Sequence, residues 1–122
     1  MKLTLTLAVA GLLASSAPAL AQSACTRPGP PAPVDGATVT MDQLMAAKKD
    51  VSDFIAASDT YQGCLIDDLN AQRATAKANK TKVDKSVVTD VDAKIKGNQA
   101  DKESVGNGFN SAIKAYKAAH PS

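Results

Sequence analysis

The residues of this 122-residue chain that could do chemistry are few: two cysteines, one histidine and some closely spaced carboxylates. Cys25 and Cys64 could pair as a disulfide, stay as free thiols, bridge two molecules or ligate a metal. A metal site needs three or four ligands, and beyond acidic groups only His120 could join them. A redox enzyme would carry Cys-x-x-Cys, which is absent. A structural, intramolecular disulfide is therefore the expected state. A nucleophilic triad needs a base, but His120 lies two residues from the C-terminus, where chains fray. Asp67-Asp68 and Asp90-x-Asp92 are paired carboxylates. Acid-base work needs one carboxylate in an apolar pocket, and these read as solvated helix faces. Gly106-Asn107-Gly108 lies inside a helical pattern and lacks the Lys-Ser/Thr that follows a phosphate loop. No catalytic residue, metal ligand or cofactor is expected, and the chain reads as a non-enzyme.

The N-terminus supplies an address. Lys2 precedes the apolar run Leu3–Ala14, and Ala19-Leu20-Ala21 offers a small-residue cleavage site. Residues 1–21 thus have the layout of a Sec-type signal peptide, cleaved after Ala21. The apolar run is shorter than the ~20 residues that span a bilayer, so an uncleaved anchor is not expected. A lipoprotein would place an aliphatic residue where Gln22 stands. The expected location is periplasmic or extracellular, where thiols oxidise, with no transmembrane span after cleavage.

Two long helices and a leader strap must position the cysteines. Residues 22–39 contain the proline-rich stretch Pro28-Gly29-Pro30-Pro31-Ala32-Pro33, which forbids helix and favours an extended strap. Thr40-Met41-Asp42-Gln43 is a capping box, with Val39 and Leu44 placed for a hydrophobic staple. From there Leu44, Val51, Ile55, Ser58, Leu65 and Leu69 recur at helical spacing, beside a stripe of Ala47, Phe54, Ala57, Tyr61 and Cys64. Residues 77–85 lose the period and read as the turn, with Asn79 as a helix stop. A second helix resumes near Asp84, with a coiled-coil-type seam through Val88, Val91, Ile95, Asn98, Lys102, Val105, Phe109, Ala112 and Tyr116. Gly97 and the Gly106/Gly108 pair weaken it and leave a break near residues 97–108 open. The fold class is all-α: an antiparallel helical hairpin over residues 40–120, folded about residue 81, with Ser58 facing Val105 and Phe54 facing Phe109.

The strap can reach Cys64. That cysteine lies about 36 Å along the first helix from Thr40, and fifteen residues of polyproline II span about 46 Å. The strap would then run back along the helix and cover the Phe54/Tyr61/Cys64 stripe.

The charge is nearly balanced, +2 overall, which does not suggest a nucleic-acid binder. Arg73, Lys77, Lys80, Lys82 and Lys85 nevertheless concentrate positive charge at the turn. They read either as a solvated turn or as a contact for an anionic partner, such as envelope lipid or an acidic protein. Leftover apolar surface on a long hairpin also makes a homodimer a fair reading.

The order of signal peptide, Cys25, proline-rich strap, Asp35-Gly36-Ala37-Thr38, Met41, Phe54-Ile55, Tyr61 and Cys64-Leu65, closed by Phe109-Asn110 and Ala115-Tyr116-Lys117, resembles small uncharacterised secreted helical proteins of Gram-negative bacteria of a two-cysteine type. That resemblance implies a periplasmic helical hairpin and carries over no catalytic residue. Two functional expectations follow. One is a structural or protein-interaction hairpin without catalysis. The other is a ligand-binding module for an anionic or apolar cell-envelope molecule.

Overall fold

The structure, a computed structural model, describes residues 25–122. The expected signal peptide over residues 1–21, its expected cleavage after Ala21 and residues 22–24 of the strap lie outside the described residues.

Two helices, α1 (Met41–Ala78) and α2 (Lys85–Ala119), pack antiparallel as a hairpin, with no strand among the described residues. They are about 57 and 52 Å long at 1.5 Å per residue. The local signals act as read. Thr40 Oγ1 accepts from the Gln43 N–H (3.2 Å) while Gln43 Oε1 accepts from the Thr40 N–H (2.8 Å). Together they satisfy two backbone donors at the start of α1. Asn79 is the C-cap of α1, its N–H donating to the Thr75 carbonyl at 3.0 Å. Asp84 caps α2, its carboxylate accepting from the Ser86 N–H at 2.7 Å. Those hydrogen bonds to the charged form hold the Asp84 carboxyl below its ordinary value. Between the caps, Lys80 adopts a left-handed backbone with φ 54°.

The helix interior near residues 97–108 settles a point that the sequence leaves open. α2 runs unbroken through Gly97, Gly106 and Gly108. Each glycine costs about 1 kcal/mol against alanine. Tertiary burial of Val91, Asn98 and Ala112 on the packed face outweighs that.

The core is a thin seam. Tyr61, Leu65 and Leu69 of α1 meet Val91, with Val83, Val87, Val88 and Ile95 packed around them toward the loop end. Leu44, Ala47, Phe54 and Ala112 are buried toward the other end. At mid-length the seam is polar. Ser58 and Asn98 are both 0 % exposed. Asn98 Nδ2 donates to Ser58 Oγ (3.1 Å), and Gln62 Nε2 donates to Asn98 Oδ1 (2.9 Å). Ser58 therefore meets Asn98 directly, where the spacing had placed Val105. Physical need sets the difference: a buried amide must find partners, and Ser58 and Gln62, one turn apart, supply them. Among the described residues, every buried side-chain polar atom is hydrogen-bonded.

The Asn98 amide thus defines how the helices are aligned. Asn98→Ala strands the buried Ser58 hydroxyl and is expected to lower unfolding free energy by about 2 kcal/mol. In urea denaturation, Asn98→Ala with Ser58→Ala should then cost less than the sum of the two single changes. Simple additivity would show that the pair does not act together.

Candidate functional site

Three features of the hairpin could meet another molecule: the clamped strap, a hollow beneath it and the loop end. Each rests on residues whose positions the helices set.

The strap has no regular secondary structure and returns along α1. Cys25 is bonded to Cys64, with Cα atoms 5.7 Å apart, so both cysteines are consumed in one intramolecular disulfide. Two residues on, Arg27 Nη2 donates to Asp101 Oδ2 of α2 at 2.7 Å. This hydrogen bond raises the guanidinium above its already high value. Gly97 lies beneath that guanidinium; a Cβ there would sit 3.4 Å from it. Pro28, Gly29, Pro31 and Ala32 then pass over Phe54 and Ala57, and Phe54 and Tyr61 are buried as the stripe required.

At the far end the strap turns at residues 36–38. Asp35 organises the turn, its carboxylate accepting from the Ala37 N–H (3.0 Å) and its carbonyl from the Thr38 and Val39 N–H groups (3.1 and 3.2 Å). Gly36 is buried against the α2 backbone, where a Cβ would fall 1.8 Å from the Ala112 carbonyl oxygen. Asp35-Gly36 was legible as a turn, but the sequence carries no signal for what the glycine touches. The Arg27–Asp101 tie was likewise invisible, because it joins residues 74 positions apart.

Between these fastenings the strap walls a hollow of about 340 Å³. Strap residues 30–34 form one side, Ala47 and Val51 of α1 the second, and Ser104, Val105, Gly108 and Phe109 of α2 the third. The volume falls at the small end of ligand sites, and the mostly apolar walls are typical of them. The proline run was legible; that it stands off from the helices rather than filling the space was not.

The loop end gathers the five cations singled out from the sequence. Arg73, Lys77, Lys80, Lys82 and Lys85 are all exposed, and none of them is in an ion pair among the described residues. Arg73, Lys77 and Lys82 border one shallow concavity with Thr81 and Val83, while Lys80 and Lys85 lie off it.

The remaining candidates make local contacts. Asp90 and Asp92 pair with Lys94 and Lys96, each at 2.7 Å and one helical turn away. Asp68 accepts from Gln72 at 3.0 Å, and Asp67 is exposed. The His120 ring stacks on Tyr116, centroids 4.2 Å apart, and its Nδ1 lies 3.0 Å from the Tyr116 carbonyl oxygen. Among the described residues no group of three or more His, Cys, Asp or Glu could hold a metal ion. No helix of these residues is long and apolar enough to cross a membrane. Compared with known proteins, the chain matches no family model, no curated protein and no solved structure.

Proposed function

We propose that this chain is exported, loses its leader after Ala21, and works outside the cytoplasm as a non-catalytic helical hairpin that acts by surface contact. The observation that carries this reading is the strap fastened lengthwise by the Cys25–Cys64 disulfide. Such a bond persists in oxidising compartments, and it agrees with the signal-peptide layout of residues 1–21. The bond and the Gly36–Ala112 approach give a stiff body with Met41 and Met45 exposed (53 % and 52 %), one turn apart. A second copy or an envelope protein would be the partner. The likeness to small secreted two-cysteine proteins belongs to the same reading.

The apolar hollow favours a second reading, a binding module for a small apolar envelope molecule lodged among residues 30–34, Val51, Val105 and Phe109. One native mass measurement on protein exported by a bacterial host separates the two. A species beginning at Gln22, lacking two thiol hydrogens and doubled in mass, supports the contact reading. A monomer carrying a lipid-sized adduct supports the second. Retention of residues 1–21 or of free thiols would count against export.

A further inference from the structure

We infer that the loop end of the hairpin docks end-on against an anionic phospholipid surface. The inference rests on the export proposed above and deepens the expectation of a module that meets an anionic cell-envelope molecule.

Charge along the molecule is segregated. Residues 73–85 hold five cations and one carboxylate, a net charge of +4; the other described residues hold eight cations and eleven carboxylates, a net charge of −3. The single acid of the loop end, Asp84, is engaged in capping α2. By contrast, five of the eight cations elsewhere are neutralised locally: Arg27 by Asp101, Lys49 by Asp53, Lys94 by Asp90, Lys96 by Asp92 and Lys102 by Asp59. Among the described residues none of the loop-end cations has a carboxylate partner; Arg73 Nη1 donates only to the Asn70 amide oxygen at 3.4 Å.

Geometry favours a plane. Arg73 lies five residues before the end of α1, so the backbones of all five residues fall within about 7.5 Å of the helix ends, although the Arg73 guanidinium reaches back to Asn70 Oδ1 (3.4 Å). That is about one Debye length at physiological salt, close enough for a charged sheet to attract the four lysines together, with Arg73 behind them. An acidic side chain seated in the concavity would reach Arg73, Lys77 and Lys82 and leave Lys80 and Lys85 unused. Lys80 adds a separate indication. It occupies the one non-glycine left-handed position among the described residues, where glycine or asparagine is favoured, and so holds a charge at the apex against backbone preference. The negative remainder of the molecule is repelled by the same surface, which holds the rod upright rather than flat.

The test is sedimentation with vesicles, using the chain from Gln22 onward, which contains every described residue. Binding is expected to phosphatidylglycerol-containing vesicles and not to phosphatidylcholine alone, and is expected to vanish at high salt. Each cation removed should weaken it roughly fivefold. The variant Lys77→Gln/Lys80→Asn/Lys82→Gln/Lys85→Gln should therefore lose more than about a hundredfold. If that variant loses its helical circular dichroism, Lys82→Glu alone supplies the test, with an expected loss of roughly twenty-fivefold. Lys48→Gln/Lys114→Gln/Lys117→Gln, away from the loop, should bind as the parent does.

Equal binding to neutral vesicles, no binding to anionic ones, or undiminished binding by the loop variants would overturn the inference. So would capture by soluble polyglutamate without capture by vesicles, which would make the partner an acidic protein. The native mass measurement decides export and self-association independently, so failure of one reading is separable from failure of the other.

Discussion

Cys64→Ser lowers the melting temperature by roughly 15 °C under non-reducing conditions. The disulfide spans 39 positions, and in the chain-entropy model closing such a loop removes about 4 kcal/mol of denatured-state entropy. Native bonds in small domains commonly deliver about 2–5 kcal/mol, and about 3 kcal/mol corresponds to the stated shift for a domain of this size. The loss is large here because the seam is thin: eight apolar side chains are buried among the described residues, and the strap covers Phe54 and Tyr61 only while it is held. Cys25→Ser should cost about the same, and the double variant no more than either single. Thermal melts followed at the helical circular dichroism band decide this. An unchanged midpoint would remove the clamp from the account.

The second large effect is expected at Gly36. A methyl group there would lie 1.8 Å from the Ala112 carbonyl oxygen, 2.6 Å from its carbon and 2.9 Å from its Cα. All three are backbone atoms of a continuous helix, so no rotamer change can make room. Gly36→Ala must lift the turn off α2, and overpacking of this kind costs about 1–3 kcal/mol; about 2–3 kcal/mol is expected. Hydrogen exchange should show faster exchange at the Thr38 and Val39 amides, which donate to Asp35. Gly63→Ala is the control. Nothing lies within 4 Å of the Cβ it would gain, and a helical site gains about 1 kcal/mol on replacing glycine by alanine. Opposite signs at the two glycines would locate the close approach at the turn; a neutral Gly36→Ala would refute it.

The features legible in the sequence are those decided within a few residues or by elimination. The capping box at Thr40–Gln43, the stop at Asn79 and the restart of helix near Asp84 each depend on groups within a turn of one another. The cysteine pairing was readable because two thiols admit one intramolecular connection and the strap had the length for it. Helix alignment was harder. Apolar spacing along each seam repeats every turn, so several offsets satisfy it equally, and only the hydrogen-bonding demand of buried Asn98 separates them. The continuity of α2 stays open in the sequence for the same reason: the local glycine cost is visible, the packing that overrides it is not. Of the candidate sites, the loop-end cations were legible as composition. Their lack of carboxylate partners was not, since Lys102–Asp59 and Arg27–Asp101 show that distant carboxylates can claim a cation.

The Cys25–Cys64 bond also makes this part of the polypeptide topologically closed. A protease that cuts once between those two residues opens a ring and releases nothing. The nicked product keeps its full mass on a non-reducing gel and falls into two fragments only when thiol is added. Damage to the exposed strap is thus contained, and the severed end is held beside its original seat.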